Sequence, residues 1–277
     1  MRGPRRVALA AIAAAVASCA APSRQLTTRI VEDPITLPRR MASISMNVTG
    51  IRYEPTDTQG TYWLPDFRLG ITDRLEWVDL LGLRYAFLDD RPADGRAPDP
   101  VSLALRAGII GIGYSSAEGT FLLPVASLRL LQHVGDRWAV SLAANWSAQW
   151  VAQPFPRTPA YNDILIYSAR RFSFLSLEAD VTRQLTDRVA LGVGAFLEQG
   201  TDCVSPFCDW KSRTASVDVF LGARPLSWLT LSVAPAVGVR ERPDIPLPTT
   251  YPDGSPVAIR PLSVTFASLT CRFAFYW

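Results

Sequence analysis

One histidine, His133, and one lysine, Lys211, stand in 277 residues, so nearly all of the positive charge is arginine. With a single imidazole there is little material for the base-assisted nucleophilic chemistry that hydrolases rely on. Ser127 and Asp136 lie near His133 in sequence, but no spacing makes a triad and no G-x-S-x-G elbow occurs. Cysteine is scarce too, at 4 residues, and no histidine lies near Cys203 and Cys208, which leaves that pair short of a metal's ligand set. The net charge of +3 is small and spread along the chain, giving no basis for nucleic-acid binding. Long apolar runs are also missing. Although 48% of residues are hydrophobic, nothing beyond the N-terminal stretch is long enough to span a bilayer as a helix. A membrane protein without such runs must span as a closed β-barrel, because every backbone polar group in lipid needs an internal partner.

The N-terminus indicates export. Met1–Arg6 is basic, Val7–Val16 is apolar and alanine-rich, and Ala17–Pro22 is built of small residues, the layout of a signal peptide. Val16-Ala-Ser-Cys19 resembles a bacterial lipoprotein cleavage box, which implies acylation of Cys19. Ala20 does not resemble the aspartate that retains lipoproteins in the inner membrane. Ordinary cleavage after Ala20, with Ser18 and Ala20 as the small residues, stands as the other reading. The expected organisation is a signal peptide over 1–19, a periplasmic linker over 20–40 and one domain over 41–277.

Period-two alternation runs through that domain. From Trp138 to Trp150, Trp138, Val140, Leu142, Ala144, Trp146, Ala148 and Trp150 face one way, against Ala139, Ser141, Ala143, Asn145, Ser147 and Gln149. Val189–Glu198, Ala215–Ala223 and Leu229–Arg240 repeat the pattern. The apolar faces are branched and aromatic, while the polar faces are small with a few charges. A soluble sandwich would carry long charged side chains outside. The last strand reads Leu269, Cys271, Phe273, Phe275 and Trp277 on one face, and Ser268, Thr270, Arg272, Ala274 and Tyr276 on the other. This resembles the C-terminal signature strand of bacterial outer-membrane β-barrel proteins. The resemblance implies an antiparallel transmembrane β-barrel, integral in the outer membrane, folded with the help of the barrel-assembly machinery and surrounded by outer-membrane lipid.

Short connections recur at Ile71–Arg74, Val134–Arg137, Leu185–Arg188 and Arg224–Trp228, and are expected on the periplasmic side. Longer ones at Asp89–Pro100, Ala152–Asp163, Gln199–Ser212 and Glu241–Ile259 are expected on the opposite side. Tryptophans 63, 77, 138, 150, 228 and 277 sit near strand ends, as interfacial girdles require. About eleven runs are legible, beginning near Arg40, Trp63, Leu75, Val101, Phe121, Trp138, Phe172, Val189, Arg213, Trp228 and Leu262. Barrels of this class have even strand numbers, so one run is missed or one is not in the wall; 10 to 12 strands are expected, 12 being favoured.

The chemistry belongs to the polar face. Glu178 and Asp180 share it on one strand. Arg84, Arg106, Arg240 and Arg272 are their expected ion-pair partners, and Asn145 and Asp218 complete the candidate lumen lining. Such pairs can plug a barrel of this size or line a polar path for a small polar or anionic solute. Cys203 and Cys208 are expected to close a disulfide in an oxidising compartment. Cys271 is expected to face lipid. The expected function is a structural or small-solute pore barrel without cofactor, metal or catalytic role. A barrel enzyme acting on outer-membrane lipid and a soluble periplasmic β-sandwich lipoprotein remain the alternatives.

Overall fold

The computed structural model describes residues 25–54, 58–79, 81–92, 97–115, 119–148, 150–151, 171–204, 207–242 and 262–277. The cleavage region with Cys19 lies outside them, as do the connections over 152–170 and 243–261 and the side chains of Trp63, Trp150, Cys203 and Cys208.

The strands are β1 (Ala42–Glu54), β2 (Thr58–Gly70), β3 (Leu75–Val78), β4 (Leu81–Leu88), β5 (Ser102–Ser115), β6 (Gly119–Val134), β7 (Trp138–Ala148), β8 (Trp150–Val151), β9 (Arg171–Thr186), β10 (Val189–Val204), β11 (Phe207–Leu226), β12 (Leu229–Arg242) and β13 (Leu262–Tyr276). The two-residue β8 pairs with β6 as the continuation of β7 past Gln149, so the wall has twelve strands. Neighbours pair antiparallel in one sheet. β13 pairs with β1, and β5 with β6, which closes the barrel. A single closed sheet replaces the two facing sheets of the sandwich alternative.

Alternation sets the two faces. Leu175, Leu177, Leu191, Val193, Leu197, Val217, Val219, Val237, Leu269 and Phe273 are exposed on the outside. Such a band is far beyond the apolar patches that soluble monomers tolerate and suits contact with acyl chains. Trp77, Trp138, Trp228 and Trp277 ring the end that carries the short turns, with Trp228 stacked on Phe275 at 6.4 Å between centroids. Cys271 shares this outward face and is a free thiol.

The twelfth strand is β4. It is hidden in what reads as one run from Leu75, because only two residues separate the end of β3 at Val78 from the start of β4 at Leu81. Two residues preserve the odd-even order, so Trp77, Leu81, Leu83, Tyr85 and Phe87 all point outward across the reversal. Asp79 takes φ +59 where a turn of this kind usually carries glycine. Two connections differ from expectation. The Asp89–Pro100 segment lies at the short-turn end, where Arg91 donates to the Gly135 carbonyl at 2.9 Å. Gln199–Ser212 is mostly strand, since β10 and β11 run on to Val204 and Phe207.

The hairpin of β3 and β4 is short, and this leaves the wall incomplete. β2 pairs with β3 only over Arg68–Gly70, and the Asp79 amide donates to the Phe67 carbonyl. β4 pairs with β5 no further than Ile109. Above these points the facing edges of β2 and β5 have no partner strand among the described residues.

The lipid-facing assignment is tested by Val193→Arg, which places a guanidinium in the middle of the outward band. The folded barrel in lipid vesicles should lose about 2–4 kcal/mol in urea unfolding. Inward-facing Thr182→Arg should cost clearly less.

Candidate functional site: the lumen and its plug

Residues 25–40, read from sequence as the end of a linker, pack with Met41 inside the turn-end mouth. Val31 and Ile35 join Ala86, Ala104, Leu131 and Ala139 from the wall in one buried apolar cluster, and Leu26, Leu37 and Met41 form a second against Tyr276. Burying each aliphatic side chain of this size is worth about 1.5–3 kcal/mol. A single 3-10 turn, Ile30–Glu32, shapes the segment. The chain then reverses into β1 at Arg40, whose φ is +67. Gly70 admits this close approach, because a Cβ there would lie 2.0 Å from the Pro38 carbonyl oxygen.

Polar contacts fix the plug on two sides. Arg224 is fully buried. Its Nη1 and Nη2 donate to the two Asp33 oxygens at 2.5 and 2.6 Å, Nη1 also donates to the Thr27 carbonyl at 3.1 Å, and Nε donates to Thr230 Oγ1 at 2.8 Å. This is the bidentate geometry that a guanidinium and a carboxylate favour. Across the mouth, Glu76 is also fully buried. It accepts from Arg68 Nη2 at 2.8 and 3.0 Å, from Arg84 Nη1 at 2.5 Å and from the Leu37 amide at 2.6 Å. A lone buried carboxylate would be costly, and two guanidinium groups with a backbone donor offset that cost. The Val31 amide donates to Gln184 Oε1 at 3.2 Å and the Arg39 amide to Asp73 Oδ1 at 2.9 Å.

All eight candidate lumen residues point inward, but their partners differ from those expected. Arg84 binds Glu76 and Arg106 binds Asp79, so neither reaches Glu178 or Asp180. The reason is strand position: Arg84 and Arg106 face each other across the β4–β5 ladder, several strands from β9. Glu178 instead accepts from Asn145 Nδ2 at 2.8 Å, and Asp180 from Ser141 Oγ at 3.4 Å. Arg272 donates to Ser45 Oγ at 3.3 Å. Arg240 lies in register with Thr214, next to Glu198 on β10. Glu76, Gln184, Arg224 and Arg129 escape sequence reading. Each is simply one more inward position of a strand, and what sets it apart is a partner distant in sequence.

His133 is the penultimate residue of β6, and its side chain is 4% exposed. Its Nδ1 lies 2.7 Å from Asp90 Oδ2, and its amide donates to the same carboxylate at 2.9 Å. Ser102 Oγ donates to Asp90 Oδ1 at 2.7 Å. The carboxylate therefore sits between imidazole and hydroxyl, whereas nucleophile activation needs the imidazole in the middle. Burial alone would raise the Asp90 carboxyl, but hydrogen bonds from His133 and Ser102 outweigh it and hold the group below the usual carboxylate range.

Comparison with family models finds no match, and comparison with curated protein sequences finds none either. Among solved structures, an outer membrane channel from Pseudomonas putida is similar at TM-score 0.56 and 11% identity, over 87% of this chain and 97% of that one. OmpT, an outer membrane protein of Vibrio cholerae, reaches TM-score 0.41 at 10% identity, over 86% of this chain and 100% of its own. The NanC porin reaches 0.39 at 11% identity, over 82% and 98%. The first of these establishes a common fold, that of an outer-membrane β-barrel, and the two lower scores add nothing to it.

The lowered Asp90 carboxyl stabilises the folded barrel above the unfolded-state value of about 3.9, and that contribution disappears as pH falls through the lower folded-state value. Asp90→Asn should therefore flatten the acid limb of stability below about pH 4. Urea midpoints measured against pH for both proteins check this.

Proposed function

We propose that the protein is an outer-membrane passage for small polar or anionic solutes, held closed at its periplasmic end by its own N-terminal segment. The observation that carries this reading is the docking of residues 25–41 inside a charged lumen by the Asp33–Arg224 fork and the Glu76 cluster. A barrel needing only stability could fill its mouth with apolar side chains. A segment held by a few strong polar contacts can instead be released by breaking them. On this reading the turn end is periplasmic, folding depends on the barrel-assembly machinery, and Cys19 carries the lipid just ahead of the plug. The Cys203–Cys208 disulfide would stiffen the β10–β11 hairpin. Asp33→Ala leaves Arg224 buried without its carboxylate when the plug is docked and hydrated when it is released. Loss of a fully buried pair's partner costs about 3–5 kcal/mol, and with Asp33 one-third exposed about half of that applies, so the docked fraction should fall at least about tenfold. Planar-bilayer recordings should show a small conductance for the native chain and a large one for Asp33→Ala. Equal conductances would refute a docked gate.

A second reading rests on the break in the wall between β2 and β5. Apolar solutes entering the lumen could leave sideways into the bilayer there, and unpaired strand edges at membrane depth otherwise have no evident use. A fluorophore on Asp66→Cys, inward and beside the break, should be quenched by a lipid-dissolved nitroxide severalfold more than one on Ser232→Cys behind intact wall. Equal quenching would exclude a lateral opening.

A further inference from the structure

Above the plug lies a cavity of about 370 Å³, floored by Val31 and Ile35. That volume is at the small end of ligand sites, which run from roughly 300 to 1,000 Å³. Opposite charges line it without being in contact. On one arc, Asp180 of β9 and Asp218 of β11 are both in register with Gly194 of β10. A Cβ on Gly194 would lie 2.4 Å from Asp218 Oδ1 and 2.7 Å from Asp180 Oδ1, so the glycine leaves room for two carboxylates over one spot. Asp180 holds only the Ser141 hydroxyl, at 3.4 Å, and Asp218 has no side-chain partner among the described residues.

On the other arc, among the described residues Arg129 holds only Ser141 Oγ and Arg272 only Ser45 Oγ, each at 3.3 Å. Arg272 Nε is buried with no partner among them, and so is Nε2 of His133, another lining residue. The Ser141 hydroxyl stands between Arg129 and Asp180, keeping opposite charges one hydroxyl apart. Elsewhere in the lumen Glu76, Asp79 and Asp33 are all matched directly to arginines. Around this cavity two carboxylates and two guanidinium groups have no direct ion pair among the described residues.

We propose that this cavity binds a small zwitterionic solute of the α-amino-acid type, its ammonium on Asp180 and Asp218 and its carboxylate on Arg129 and Arg272. The proposal rests on the passage reading and names the solute class for it. The four groups sum to no net charge, so an ion of one sign gains from one arc what it loses to the other. A zwitterion engages both. Its charges replace the contacts that the wall holds apart, and its side chain faces Val31, Ile35, Leu131 and Phe220.

Calorimetric titration of the full-length barrel, folded in detergent, tests this with leucine, isocaproate, isoamylamine and isocaproamide, four molecules of like shape. Leucine should bind at least about tenfold more tightly than any of the other three, equivalent to about 1.4 kcal/mol. Asp180→Asn with Asp218→Asn should reduce leucine to the level of isocaproate. Arg129→Gln with Arg272→Gln should reduce it to the level of isoamylamine. Both variants must keep the heat-shifted mobility of a folded barrel. Leucine binding no better than isocaproate or isoamylamine, or a preference unmoved by either variant, would overturn the site. Because binding is read without transport, leucine binding with no solute flux into vesicles bearing the released Asp33→Ala barrel would overturn the passage reading alone. Flux without preference for leucine would overturn this site alone.

Discussion

Pairing of backbone amides and carbonyls in a solvent that offers them nothing is the constraint on which the rest depends. In hydrocarbon an unmade backbone hydrogen bond has no water to replace it, so the strands must close on one another. β1 against β13 and β5 against β6 accomplish this. Closure in turn dictates the side-chain pattern, since a wall with lipid outside and water inside has only two kinds of position. It also concentrates the polar side chains in the lumen, where they must be matched to each other, to a plug or to a solute. The short β3–β4 hairpin relaxes the constraint in one place, and the break it leaves is therefore the least expected part of the wall.

Inside, charge is distributed by strand. Arg272, Arg68, Arg84, Arg106 and Arg129 occupy the arc from β13 through β6, while Glu178, Asp180, Glu198 and Asp218 occupy β9 through β11. On the arginine arc Glu76 and Asp79 absorb part of the positive charge, and Glu76 also anchors the plug. On the acidic arc Arg224 is taken up by Asp33 of the plug, and among the described residues no arginine lies within ion-pair distance of Glu178, Asp180, Glu198 or Asp218. Such a lumen carries a field across its axis, and that field orients a dipolar solute without retaining it as strongly as a net charge would.

Much of this was legible from alternation alone. The two faces of β7, β9, β12 and β13 and the inward position of Asn145 or Asp218 follow from a period of two, and the short turns from the breaks between runs. β4 was not legible, because a two-residue turn without glycine or proline leaves the parity unbroken. The partners of Arg84 and Arg106 were not legible either. Parity says that a residue points inward but not toward which of the other strands, and that depends on the order in which the sheet closes. The plug was invisible for a third reason: Thr27, Asp33 and Leu37 carry no periodic signal, and their partners lie 191 and 197 residues away for Arg224 and 39 for Glu76.

Those separations also order events in time. The plug precedes β1 in the chain, yet its anchors come from β3, β9 and β11, and Arg68 and Arg84 around Glu76 come from β2 and β4. The early strands offer only half of its seat, at Asp73 and Glu76, and the contacts to Gln184 and Arg224, far apart in sequence, form late. The part of this domain that comes first in the chain is thus held on both sides only once β11 has joined the wall.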